Sequence, residues 1–209
     1  MKTIYIYVLD TLADWELGYV TAELNSRRFF KKDAPLLMIK TVGYSKKAIK
    51  TMGGMKIVPD CLVEDVEIND GNVLLLPGAD TWSKLQNAAV IEKAKALLAA
   101  GGIVGAICGA TVALADFGLL DNWLHTSNGL EFLEMVSVNY RGEKYYRDQC
   151  SVSNNNLITA GSAGALMWTK QIMESLEVFK KDTLDFWYAY FSTGNTKFFF
   201  KLMKTLPAE

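Results

Sequence analysis

Four short apolar, β-prone blocks, at residues 4–9, 36–42, 72–76 and 103–107, recur along the chain. Such runs read as strands buried on both faces, the pattern of a parallel sheet rather than of a half-exposed antiparallel one. Helical spacing appears between them. Over residues 15–30 the apolar side chains return at Trp15, Leu17, Tyr19, Val20 and Leu24, and residues 88–100 and 109–117 also read as helices. Gly53-Gly54 marks a hairpin turn between 47–52 and 56–59, and Asn154-Asn155 marks another between 145–152 and 156–159. Gly161-Ser162 opens a helix to about 179, with Ser162 as its N-cap, and a strongly aromatic helical tail covers 183–203. Strands alternating with helices predict an α/β fold with a mostly parallel central sheet and small antiparallel additions. Without an internal linker or repeat, the whole chain, 1–209, reads as one domain with an aromatic helical extension from about 182.

Composition narrows the function. Half of the residues are hydrophobic and 22% are charged, which provides a substantial core and excludes a disordered chain. A net charge of −1 gives no electrostatic basis for binding nucleic acid or an anionic membrane, and no uncharged run reaches the roughly 18 residues of a membrane span. Residues 1–9 carry no cleavable targeting pattern. The three cysteines, Cys61, Cys108 and Cys150, are odd in number and widely spaced, so they frame neither disulfides nor a zinc site; a cytoplasmic protein is expected. No metal or cofactor is expected, and Gly161-Ser162-Ala163-Gly164 does not fit the dinucleotide pattern.

In parallel α/β sheets, sites form at the carboxyl ends of strands. Three segments meet that condition: 10–16, 77–81 and 108–111. Within the third, Cys108 lies between a strand and a helix, with Ala106 and Ala110 two positions either side and Gly109 next to it. Small residues at those positions suit a nucleophile elbow, and a helix N-terminus favours thiolate. The same residues also suit an ordinary buried cysteine.

Leu74-Leu75-Leu76-Pro77-Gly78-Ala79, Ala106-Ile107-Cys108-Gly109-Ala110, Thr126-Ser127-Asn128 and the early Asp14-Trp15-Glu16-Leu17 together resemble the ThiJ/PfpI family, a branch of the class I glutamine amidotransferase-like superfamily. The likeness runs over about 2–177. It implies a flavodoxin-like three-layer α/β/α sandwich with Cys108 on the elbow and Glu16 beside it as thiol partner. It also implies an oxyanion site made by the Ala79 and Gly109 amides. Many relatives have glycine where this chain has Ala79. The histidine is missing from both familiar places: Gly109 follows the cysteine directly, and Asn128 stands twenty positions after it. The one histidine, His125, falls three residues short; His125 or Asn128 is left to orient substrate. No histidine follows position 125, which disfavours glutamine amidotransfer. The expectation is a cysteine-dependent hydrolase of amidase, protease or deglycase type acting on a small carbonyl or amide substrate. Its alternative is a non-enzymatic stress or redox sensor in which an oxidant acts on the same cysteine. The aromatic tail, with the family's habit, leads to the expectation of a homo-oligomer, most simply a homodimer.

Overall fold

A computed structural model describes residues 1–206 of the 209; the last three positions of the one-domain reading, 207–209, lie outside the described residues. The chain runs β1 (Lys2–Tyr7), α1 (Asp14–Ser26), β2 (Leu37–Gly43), β3 (Ile49–Lys50), β4 (Lys56–Ile57), β5 (Cys61–Leu62) and β6 (Val73–Leu76). It continues through α2 (Ala88–Ala99), β7 (Ile103–Ile107), α3 (Gly109–Asp116), α4 (Leu130–Val136), β8 (Ser151–Asn154) and β9 (Leu157–Ala160), then α5 (Ala165–Leu176), α6 (Lys181–Thr193) and α7 (Thr196–Met203).

The main sheet has the order β5-β2-β1-β6-β7-β9-β8. Every neighbouring pair is parallel except β8 with β9, and β3 and β4 form a separate two-stranded antiparallel hairpin. With helices flanking it, this mostly parallel sheet is the flavodoxin-like arrangement. The side chains of β6 are completely buried and those of β1 nearly so from Thr3 onward, which explains why these strands read as continuous apolar runs. The strand order reverses between β1 and β6, and the loops that leave β1, β6 and β7 therefore converge at one end of the sheet.

Several boundaries differ from the sequence reading. The first helix ends at Ser26, not near residue 30, because Arg27 takes a left-handed conformation (φ 55°) and its N–H bonds back to the Glu23 carbonyl. Phe29 and Phe30 then pack on Phe179 instead of extending the helix. The strand expected over 145–152 is confined to β8; the preceding residues form a 3₁₀ turn, Glu143–Tyr145, whose Tyr145 carbonyl accepts the His125 N–H. Ser162 does not cap α5: it lies in the 3₁₀ turn Ser162–Gly164, and Gly164 occupies the cap position. The aromatic tail is two helices, broken at Gly194 in the left-handed region (φ 66°) that glycine adopts at least cost. Most of its rings are used inside the chain. Trp187 is fully buried, stacks at an angle on Phe191 and Phe179, and donates its Nε1–H to Glu23.

Candidate active site

At the end of β7 the Cys108 N–H donates to the Ala160 carbonyl (2.9 Å), and the chain then turns sharply into α3. Cys108 adopts φ 57°, ψ −125°, a conformation that costs on the order of 1–3 kcal/mol and that the surroundings must impose. Ala106 and Ala110 are completely buried on either side. A Cβ on Gly109 would lie 3.0 Å from the Ala79 carbonyl oxygen and 3.3 Å from Trp82 Cδ1, so the loop after β6 presses directly on the turn. The Cys108 carbonyl accepts from the Thr111 N–H and hydroxyl (3.0 and 2.6 Å), and Thr111 Oγ1 meets Ser127 Oγ at 2.7 Å. This bond ties the turn to the loop that carries Asn128.

The first turn of α1 aims Glu16 into the same place. Glu16 is 0% exposed, its Oε2 accepts the Gly78 N–H at 2.5 Å, and its Oε1 is buried without a hydrogen-bond partner. A Cβ added at Gly78 would sit 2.7 Å from Oε2, 2.8 Å from Oε1 and 2.8 Å from Cys108 Cβ. The carboxyl and the cysteine thus meet across a space that only a glycine leaves open. On the far side Asn128 Nδ2 donates to Cys108 Sγ at 3.3 Å. Asn128 Oδ1 accepts the Ser162 N–H (2.7 Å), which fixes the amide with its NH₂ toward sulfur.

Burial pushes the Glu16 carboxyl above its ordinary range, against the pull of the Gly78 N–H and of the sulfur. Burial likewise pushes the Cys108 thiol up; the Asn128 amide pulls it down, an ionised Glu16 pushes it further up, and the Gly109 N–H pulls it down. The contribution of Glu16 depends on its own proton. A neutral carboxyl carries no repulsive charge, and its O–H becomes a third donor toward the sulfur. Two acids in contact ionise as a pair, and the first proton lost leaves one negative charge to be shared. The donors around Sγ, Asn128 and Gly109, favour resting that charge on sulfur. On the carboxyl, one donor, the Gly78 N–H, reaches Oε2, and Oε1 has no partner.

His125 is not part of this cluster. It is 0% exposed, its Nδ1 lies 2.7 Å from the Trp123 carbonyl and its Nε2 2.7 Å from the Tyr140 hydroxyl. A carbonyl can only accept, so Nδ1 carries the hydrogen and Nε2 accepts from Tyr140. Both ring nitrogens are occupied inside the fold, so of the two substrate-orienting candidates the structure brings Asn128 to the thiol and leaves His125 away from it. Burial holds His125 below its ordinary value. Its neutral form is the folded form, so stability is full above about pH 6.5, the unfolded value, and is lost as the pH falls below it. In urea titrations at about pH 7 and pH 5, wild type is therefore expected to lose more stability on acidification than His125→Gln.

Ala79 is half-buried and its backbone lies against Gly109. Cys61 is buried and Cys150 exposed; neither hydrogen-bonds to Cys108, Glu16 or Asn128. Among the described residues, no group of three His, Cys, Asp or Glu side chains is placed to hold a metal ion, and no helix is long and apolar enough to cross a membrane. Sequence reasoning missed the roles of Gly78, Ser162 and the Thr111–Ser127 bond. Only Gly78 carried a signal, its place next to Pro77 after a buried strand.

The model of the DJ-1/PfpI family matches residues 2–175. "Uncharacterized protease YoaZ" of Bacillus subtilis (strain 168) is 40% identical over 205 residues, covering 98% of each chain. "Glutathione-independent glyoxalase DJR-1.2" of Caenorhabditis elegans is 28% identical over 150 residues, 68% of this chain and 74% of the other. Among solved structures, a thiJ/pfpI family protein from Bacillus anthracis superposes with a TM-score of 0.95 at 42% identity, covering 99% of this chain and 98% of that one.

Proposed function

The chain belongs to the DJ-1/PfpI family, and from that premise we propose that it is a cysteine-dependent hydrolase of the amidase, protease or deglycase type. Its substrate on this reading is a small carbonyl or amide compound. The observation that carries the reading is the meeting of Cys108, in its strained turn, with the buried Glu16 carboxyl and the Asn128 amide. The names of two relatives, a protease and a glyoxalase, lend support because both describe chemistry at a carbonyl carbon.

For an amide, the Cys108 thiolate adds to the carbonyl carbon and the C=O electron pair moves to oxygen. The Ala79 and Gly109 N–H groups are the proposed donors to that oxyanion. As the carbonyl re-forms, the C–N bond breaks and the amine leaves with the Glu16 proton. Water then attacks the thioester, Glu16 carboxylate takes its proton, and thiolate is expelled with Glu16 protonated again. Glu16 serves as acid and then as base, so the cycle closes without a histidine. Asn128 orients substrate and holds the sulfur's charge. Hydrolysis of a panel of small amides and of glyoxal adducts tests the reading. Turnover is expected in wild type and none above background in Cys108→Ala; equal turnover in both would overturn it.

A second reading, a stress or redox sensor, gains from the same donors. They would equally hold the oxygens of a sulfenic or sulfinic Cys108, and such a sensor needs no general base. Peroxide titration followed by intact mass separates the two: a sensor gains oxygen stoichiometrically at Cys108 and turns over no amide. The three free cysteines suit the reducing cytoplasm proposed for this protein. A homodimer is also proposed, on the exposed Phe199 and Phe200 of α7; a particle of 23.2 kDa in light scattering would contradict it.

A further inference from the structure

A cleft of about 300 Å³ begins at Ala79 and Gly109, the two residues whose amides are the proposed oxyanion donors. Its walls are apolar: Trp82 on one side, Val112 and Ala113 of α3 on another, Phe132 and Val136 of α4 on the third. The walls are held in place. Trp82 Nε1–H donates to the Pro77 carbonyl (2.9 Å), which fixes the indole plane, and its ring packs on Tyr7 with centroids 5.6 Å apart. Ser137 Oγ–H donates to Asp116 Oδ1 (2.6 Å), which ties the end of α4 to the end of α3. Asp80 and Asp116 also line the cleft, whereas no lysine or arginine does among the described residues.

We propose that this cleft is the specificity pocket of the Cys108 site and takes an apolar group, of the size of a benzyl or isobutyl side chain, attached to the reacting carbonyl, neutral or cationic at its far end and not anionic. The proposal rests on the reading of Cys108 as nucleophile. It follows from continuity and charge. A carbonyl oxygen held at Ala79 and Gly109 directs a substituent along the cleft floor, and burying an apolar group there is favourable in proportion to its area. Two carboxylates without a cation repel a carboxylate or phosphate at the same position. A substrate limited to two or three carbons would leave the cleft unused.

The test measures alkylation of Cys108 by site-resolved mass spectrometry, with chloroacetamide, N-benzylchloroacetamide and the 4-carboxybenzyl and 4-aminomethylbenzyl analogues. Each rate is normalised to the same reagent's rate with free cysteine. In wild type the benzyl and aminomethylbenzyl reagents are expected to react about tenfold faster than chloroacetamide and with saturation, while the carboxybenzyl reagent gains nothing. Ala113→Trp, which fills the cleft, should bring the ratio of the benzyl to the chloroacetamide rate down to about one; a preference that survives it would overturn the pocket. Val136 is 50% exposed, so Val136→Lys should be tolerated by the fold, and it should reverse the order of the carboxybenzyl and aminomethylbenzyl reagents. Equal normalised rates for all four reagents in wild type would overturn the pocket while the chloroacetamide rate still reports a reactive Cys108. A Cys108 inert to every reagent would overturn the nucleophile reading and the pocket with it.

Discussion

Gly78→Ala is expected to lower any turnover by about 100-fold or more, the scale lost when a positioned catalytic proton donor is displaced, and to slow Cys108 alkylation as the sulfur loses its partner. The new methyl would lie 2.7 and 2.8 Å from the two Glu16 oxygens and 2.8 Å from Cys108 Cβ, separations that Cβ atoms essentially never show. Glu16 is completely buried and cannot swing into solvent, and Cys108 is held by the Ala160 carbonyl and by Thr111. Either the carboxyl withdraws from the sulfur or the turn opens, and both dismantle the pair. Overpacking of this kind costs about 1–3 kcal/mol, so the variant should still fold, with a lower urea midpoint. Gly18→Ala is the matched control. Nothing lies within 4 Å of a Cβ there, inside α1, and alanine should stabilise the helix by about 0.5–1 kcal/mol with activity intact.

Glu16→Gln separates the two tasks assigned to the carboxyl. The amide oxygen can keep the Gly78 N–H, and the amide NH₂ can still donate to sulfur, so the thiolate keeps its partners. The amide has no proton to give to a leaving amine and cannot take one from water. Turnover should therefore fall by about 10²–10⁴-fold while chloroacetamide still alkylates Cys108 at nearly the wild-type rate near neutral pH. Parallel losses in both measurements would mean that the carboxyl serves only to shape the site.

The strands, their mostly parallel arrangement and the convergence of three loops were legible because buried parallel strands leave continuous apolar blocks in the sequence. Cys108 and Glu16 were legible for a different reason. The small residues around the cysteine reflect a local backbone demand, and the Asp14-Trp15-Glu16-Leu17 and Ala106-to-Ala110 motifs carried the resemblance to the family. Asn128 could be counted to its place, although its contact with sulfur could not. The short helix α4 escaped notice because it buries only Leu133 fully and so lacks a clear apolar period. The break at Arg27 is a left-handed residue that is not glycine, so nothing local announced it. The cleft was beyond reach for a similar reason. Trp82, Val112 and Phe132 become neighbours only after the strands have ordered the loops.

The central claim is that the proton of the Cys108–Glu16 pair rests on the carboxyl. The most direct measurement is the pH dependence of Cys108 alkylation in wild type and in Glu16→Gln. On this claim the Asn128, Gly109 and protonated Glu16 donors outweigh the burial that pushes the thiol up, so Cys108 should titrate below the ordinary thiol value of about 8.5 in wild type, and the amide should leave that titration nearly where it was. Titration at or above about 8.5 in wild type, brought down by Glu16→Gln, would contradict the claim, since removing a carboxylate's charge from a neutral thiol is what lowers its pKa.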